Sequence, residues 1–488
     1  MLSGSSCRSD YPLPSHFTSK VSGMWLATFA LLATPTVVIG LANSAHLDVR
    51  ASDRAPSQLR LVENSGECET IPGVNQASGY ADIDANNSMW FWFFEAREHP
   101  ETAPLTLWLQ GGPGGSGLVG LYQEHGPCRI NNDSSTVSFN PFSWNNASNM
   151  IYIDQPIGTG FSNGDRQLNN SVAAAADVWQ VLQILFADAR FEEFQYNDFG
   201  VWTESYGGHY GPIFAQYFLD QNAAIANGSI RGVPINMKVL GIGDGLTDPL
   251  IQYESYLTYA QSNPYFPTTT NDTIQSATDF WNQQGGCKDM IHQCYDSLDP
   301  TTCSSAQNFC DALITHRLAG NQDEDYILAD FSDTYPPDIT QYANNTTRKQ
   351  RIGAVGDFEE VNSEVLFEFQ GEWMQNSRPM LEAVVDAGIR TVLYVGDADY
   401  LFNYFGVEAM LDQMQTKFST EWAEQQFSNF TVHGESAGLF KNAGTLSYVR
   451  VFGAGHEVAA YRFGTLGSGE AAYQIFSQIV GNNPLSAT

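Results

Sequence analysis

A mostly parallel α/β sheet with helices on both faces is the fold this sequence predicts, on three observations. Short apolar runs of β type recur along the chain, helix-period segments separate them, and glycine-rich turns close the strand ends. In a sheet of this kind, ligands bind at the carboxyl ends of the strands.

Residues 1–23 are polar, Met24 to Leu41 is almost wholly apolar, and the small residues Ala42, Ser44 and Ala45 come next. That pattern reads as a secretory signal over residues 1–45, cleaved near Ala45. An uncleaved signal anchor is the alternative, because an apolar stretch of roughly 18 residues can just cross a bilayer. Residues 46–65 are polar and are expected to form a flexible arm or short propeptide. Ser78 to Phe94 alternates and is rich in aromatics, as a β-hairpin does. Leu105–Leu109 is a strand running into the loop Gln110-Gly-Gly-Pro-Gly-Gly-Ser-Gly117, and Met150–Ile153 is a second strand, ending in Asp154-Gln-Pro-Ile-Gly-Thr-Gly-Phe-Ser162. Helical spacing runs from Val172 to Phe191. An apolar run from Phe199 to Trp202 leads into a polar turn with Ser205, and helical spacing resumes at Ile213. Val239–Gly243 is a further strand, closing with Asp244-Gly-Leu-Thr-Asp248. Residues 250–350 change character: aromatic and Asn/Gln-rich loops, four cysteines and no clear strands. They read as a cap inserted into a core of residues 66–249 and 351–488 and stapled by disulfides. Val365–Val385 has helical spacing, Thr391–Val395 is a strand ending in Gly396-Asp-Ala-Asp399, Tyr448–Phe452 is another ending in Gly453-Ala-Gly-His456, and Ala471–Ile479 is a last helix.

The 488 residues are 43% hydrophobic and 13% aromatic, a globular composition with room for a large core. Acidic residues outnumber Lys plus Arg by 54 to 22, for a net charge of −32. Phosphates repel such a polyanion, which argues against a nucleic-acid partner. Acidic surroundings suit it, because carboxylates titrate there and self-repulsion falls. Of seven cysteines, Cys7 precedes the apolar run, leaving Cys68, Cys128, Cys287, Cys294, Cys303 and Cys310. An even set in an exported chain points to three disulfides without fixing their pairing. Zinc is the rival ligand, but no Cys-x2-Cys pair exists, and no metal is expected. Sequons for N-glycosylation stand at Asn86, Asn132, Asn146, Asn169, Asn227, Asn271, Asn344, Asn345 and Asn429.

Serine hydrolysis needs a nucleophile, a base and an acid that orients the base. Ser205 lies in a strand–turn–helix layout, that of a nucleophile elbow, although Thr203 stands where the strict Gly-x-Ser-x-Gly pattern has its first glycine. A helix N-cap is the plainer role for such a serine. Asp399 and His456 also lie just past strand ends, with Asp397 competing for the role of Asp399. The order Ser, Asp, His is that of α/β-hydrolases. In that scheme His456 takes the Ser205 proton, and Asp399 holds the imidazole tautomer and stabilises the imidazolium. The loop Gly111–Gly117 offers unobstructed N–H groups for an oxyanion hole, and one such donor typically contributes ~3–4 kcal/mol to the transition state. The phosphate-loop pattern is missing, as is the acidic strand end of a dinucleotide site, so no cofactor is expected.

With these residues in place, the chain resembles the serine carboxypeptidases, particularly fungal ones, over most of residues 70–485. Six motifs in family order carry the resemblance: Trp108-Leu-Gln-Gly-Gly-Pro-Gly-Gly-Ser116, Asp154–Ser162, Thr203-Glu-Ser-Tyr-Gly-Gly-His-Tyr210, Gly243-Asp-Gly-Leu-Thr-Asp-Pro249, Gly396–Asp399 and Gly453–His456. It implies release of C-terminal amino acids from peptides through an acyl-enzyme, with Ser205 as nucleophile, His456 as base and Asp399 as orienting acid. It also implies an oxyanion hole from the N–H groups of Gly112 and Tyr206, and Trp108, Gln110, Glu124 and Glu204 as the residues that hold the substrate's free carboxylate. Carboxyls crowded against a carboxylate cannot all ionise, so an acidic optimum is expected. Three positions depart from the family pattern, one of them Ala459, which stands where a Pro often follows His-x-Val. Gln110 stands where the family usually has Asn, one methylene shorter, and Gly115 stands where many members carry a small polar residue or Cys. Two alternatives share the fold: an acyltransferase of the same family, with the same triad, and a catalytically inactive binding protein. Glu124 and Glu204 favour peptide substrates over the first, and the intact Ser205, Asp399 and His456 argue against the second. The expected partner is a peptide or protein C-terminus, and the expected compartment is the secretory pathway, ending outside the cell or in a vacuole or lysosome.

Overall fold

The computed structural model describes residues 59–330 and 335–488. The signal expected over residues 1–45 therefore lies outside the described residues, as does the arm up to residue 58. In chain order the strands are β1 (Leu59–Glu63), β2 (Gln76–Asp82), β3 (Ser88–Phe94), β4 (Leu105–Leu109), β5 (Cys128–Ile130), β6 (Val137–Phe139), β7 (Asn149–Ile153), β8 (Phe199–Glu204), β9 (Met237–Gly243), β10 (Arg390–Gly396), β11 (Ser428–Val432), β12 (Glu435–Ala443) and β13 (Leu446–Val451). Eleven of them make one sheet in the order β1-β2-β3-β7-β4-β8-β9-β10-β13-β12-β11, while β5 and β6 form a separate hairpin.

From β7 to β13 the strands run parallel. Antiparallel wings extend both edges. The centre is buried on both sides, which is why β4 reads as a continuous apolar run and not as an alternation. Alternate residues still serve different cores. Leu105, Leu107 and Leu109 pack with Val178, Val181, Phe214 and Phe218 of two helices on one face, while Trp108 packs with Trp144, Trp202 and Phe476 on the other.

Four local expectations need correction. Residues 59–63 belong to β1 and pair with β2, so that part of the arm is a strand. The helix expected from Ile213 begins at Gly207 and runs to Ala226, with Pro212 inside it. Gly207, Gly208, Gly211 and Pro212 are poor helix formers and masked its start. The run expected over Val172–Phe191 ends at Phe186. The helical stretch at Val365–Val385 is three short helices, Ser363–Glu368, Gln370–Trp373 and Arg378–Asp386.

Between β9 and β10 the named elements are all helices. Two nested disulfides, Cys287–Cys310 and Cys294–Cys303, join the helices Cys287–Ser297 and Pro300–Cys310. The third, Cys68–Cys128, ties the segment ahead of β2 to β5. Among the described residues, no helix is long and apolar enough to cross a membrane, and no cluster of His, Cys, Asp and Glu could hold a metal.

Candidate active site

Ser205 follows the last residue of β8 and holds a left-handed conformation, φ 63°. For a residue with a Cβ that conformation costs roughly 1–2 kcal/mol, and the surroundings enforce it. Its N–H donates to Gly243 O at the end of β9, at 2.9 Å, and its carbonyl accepts from Leu246 N and Gly208 N, each at 3.0 Å. The helix Gly207–Ala226 starts two residues later and directs the positive end of its dipole at the turn. Thr203 is fully buried in the strand and takes the place of the expected glycine without disturbing this geometry.

The loop after β4 abuts the elbow. A Cβ added at Gly111 would lie 2.7 Å from Ser205 Cβ and 2.9 Å from Tyr206 N, so only glycine allows the approach. Gly112 follows at φ 106°, again a glycine conformation. The structure thus brings the backbone of Gly111 against Tyr206 N beside the serine, with Gly112 next in the chain.

Asp399 and His456 meet past the ends of β10 and β13, which pair directly. His456 Nδ1 lies 3.3 Å from Asp399 Oδ2. Backbone N–H groups of Leu401 and Phe402 also donate to the Asp399 carboxylate, at 2.8 and 3.1 Å. The competitor Asp397 is occupied elsewhere: it accepts from Tyr265 Oη and Gly453 N. Burial works against a charge on His456, but Asp399 first, then Asp325 and Glu457, outweigh it and hold the imidazole well above its usual range.

The four residues expected to hold a carboxylate form one buried cluster. Gln110 Oε1 accepts from Trp108 Nε1 at 2.9 Å and from Gly120 N at 3.0 Å, and Gln110 Nε2 donates to Glu204. Glu124 sits on the π-helical turn Gly120–His125 and hydrogen-bonds to Glu204. Both glutamates are 1% exposed. Burial pushes Glu124 up to about 8, with Glu457 adding to it. Glu204 is held well above the carboxylate range by burial and then by Glu124. Glu124 Oε1 and Glu204 Oε2 are buried and meet no N–H donor or hydroxyl of another side chain among the described residues. His456 lies within electrostatic reach of both glutamates, which puts the cluster beside the Asp399–His456 pair.

Two acids of this cleft escape the sequence reading. Glu457 follows His456 directly and sits near Asp325 and Glu204; an acid next to the candidate base was its only signal. Asp325 accepts the His456 N–H through its carbonyl, at 2.8 Å. It comes from the helical insertion, and nothing local in the sequence points to it.

Fold and cleft together define an α/β-hydrolase. Within that class the chain belongs to the serine carboxypeptidase family, whose model matches residues 67–482. It is 39% identical over 433 residues to carboxypeptidase S1 of Penicillium janthinellum, covering 88% of this chain and 100% of that one. It is 33% identical over 416 residues to carboxypeptidase Y of Komagataella phaffii, covering 82% and 76%. Among solved structures, a prohormone-processing carboxypeptidase of Saccharomyces cerevisiae shares the fold with a TM-score of 0.65 at 22% identity, over 84% of this chain and 91% of that one.

Proposed function

We propose that this serine carboxypeptidase hydrolyses the C-terminal peptide bond through Ser205, His456 and Asp399, at acidic pH. Ser205 Oγ attacks the scissile carbonyl and passes its proton to His456 Nε2, while Asp399 stabilises the imidazolium. The N–H groups of Gly112 and Tyr206 receive the oxyanion. His456 returns the proton to the leaving amine, the terminal amino acid departs, and a water activated by His456 cleaves the acyl-enzyme.

The observation that carries this reading is the buried, hydrogen-bonded Glu124–Glu204 pair beside Ser205, which burial favours in the neutral form. A protonated carboxyl can donate to the substrate's terminal carboxylate, whereas an ionised one repels it. Trp108 and Gln110 hold the pair in place. Loss of the pair's protons then closes the alkaline side of the profile, and protonation of His456 closes the acid side. Asp325, pushed up to about 6 by burial, and Glu457, pushed well above its usual range, are neutral in acid. Their pull on His456 fades there, which leaves Asp399 as its main support.

The test compares kcat/KM across pH on a blocked dipeptide and on its C-terminal amide. The free acid should lose activity at a less alkaline pH than the amide; coincident profiles would remove the glutamates from the mechanism. A fluorophosphonate should label Ser205, and the released product should be the free amino acid.

The three disulfides support passage through the secretory pathway, with residues 1–45 as its signal. Glycans are proposed at the exposed Asn86, Asn132, Asn169, Asn227, Asn271, Asn345 and Asn429. Asn146 and Asn344 are half-buried and use their side-chain amides in internal hydrogen bonds, to Arg97 and Pro141 and to Phe358.

A further inference from the structure

One fully buried acid beside the triad has no part in the mechanism above. Asp244 follows the last residue of β9, at φ 39° and 0% exposed. Strand β9 pairs in parallel with β10, Gly243 opposite Tyr394. Asp244 N donates to Tyr394 O at 2.9 Å, and its Oδ1 accepts from Gly396 N at 3.0 Å. Its Oδ2 is buried and meets no donor among the described residues. The carboxyl it can reach is that of Asp399.

We infer that Asp244 is a positioning residue for the acid–base pair: a neutral carboxyl whose Oδ2–H donates to Asp399 while its Oδ1 accepts from Gly396, fixing the turn from which Asp399 reaches His456. The inference rests on the assignment of Ser205, His456 and Asp399.

Two adjacent buried carboxyls cannot both ionise, and the donors decide which keeps the charge. Asp399 receives Leu401 N–H, Phe402 N–H and His456 Nδ1, whereas Asp244 receives only Gly396 N–H. The charge therefore stays on Asp399 and the proton on Asp244. Burial first, then Asp399, hold Asp244 well above its ordinary range, and His456 works the other way. The other titratable groups facing it are the hydroxyls of Tyr394 and Tyr448, both themselves raised by burial. With Asp244 ionised, Asp399 would face a second negative charge in place of a donor and would no longer be held to one orientation.

An asparagine reproduces both hydrogen bonds without a titratable proton. In the full-length protein, Asp244→Asn should keep kcat on an ester substrate within about twofold, while Asp244→Ala should lose about tenfold or more with KM little changed. The low-field proton resonance of His456 Nδ1–H should shift in Asp244→Ala and not in Asp244→Asn. Wild-type kcat in Asp244→Ala overturns the inference, and so does an Asp244→Asn variant that is folded but as impaired as Asp244→Ala. If Asp244→Ala does not fold, the alkaline limb of kcat on the ester decides. Wild type should lose activity there as Asp244 ionises and Asp244→Asn should not; coincident limbs overturn the inference. A Ser205→Ala protein that still turns over the ester would instead overturn the assignment of the nucleophile.

Discussion

Glu204 occupies the position before Ser205 and shares a hydrogen bond with Glu124, both side chains being buried. Its hydroxyl form suits a peptide's terminal carboxylate and has no counterpart to meet in an ester that lacks one. Glu204→Gln should therefore lower kcat/KM on a blocked dipeptide by roughly tenfold or more, the worth of a hydrogen bond to a charged group. On an ester without a free carboxylate the change should be much smaller. Equal losses on both would deny the division of roles. At this scale the sequence was legible where chemistry and local pattern coincide: Ser205, Asp399 and His456 each follow a strand at a turn containing glycine. Asp325 was not legible, because its place beside His456 comes from the docking of the insertion on the turns after β10 and β13, and Glu457 offered only its adjacency to His456.

The loop between β4 and the helix Gly117–Val119 shows two departures that belong together. A Cβ at Gly115 would lie 2.9 Å from Gln110 Cγ, the methylene that distinguishes Gln from the family's Asn. The longer amide thus occupies space that a side chain at 115 would need. Gly115→Ser alone should displace Gln110 and cost about 1–3 kcal/mol, as overpacking does. Adding Gln110→Asn should recover only the part due to Gln110, because a Cβ at Gly115 would lie equally close to Gly111 O, at 2.9 Å. A double-mutant cycle read by kcat/KM on the blocked dipeptide and by urea unfolding measures the coupling, and additive effects would mean the two sites are independent. The helix after Ser205 illustrates the limit of pattern reading on elements. Gly207 and Gly208 weaken its propensity, yet each meets another backbone or a buried side chain too closely for a Cβ. Tertiary contact chose those residues, and a propensity rule reads them as a turn. Strands β11 and β12 were missed for a related reason: their exposed edge is polar and lacks the apolar runs of the central strands.

Across the whole molecule, buried carboxyls set the response to pH. Burial raises Glu124 to about 8, Asp154 and Glu360 to about 7, and Asp177, Asp311 and Asp325 to about 6. Between their unfolded values and these, the native state binds more protons than the unfolded chain, so stability falls as pH rises. The net charge of −32 adds self-repulsion in the same direction. The half-buried Asp84 and the exposed Asp133 and Asp299 act oppositely, because hydrogen bonds, and for Asp84 also Arg166, lower them, and their contribution is lost only as the solution becomes more acidic than their ordinary range. The thermal midpoint should thus be highest at about pH 4–5 and lower by more than about 5 °C at pH 8. A midpoint that rises towards pH 8 would contradict this. The composition hinted at acid tolerance, but which acids are buried depends on packing that no composition contains.

The order of strands in the sheet has a biosynthetic consequence. Ser205 follows β8, but its partners arrive after β10 and β13, and β13 takes its place against β10 only near the end of the chain. Synthesis at 5–20 residues per second puts roughly 250 residues, some tens of seconds, between the emergence of the nucleophile and that of His456. Through that interval the growing polypeptide holds a serine with no base. On the proposed assignment, hydrolytic competence arrives only once β13 and the turn that carries His456 have emerged.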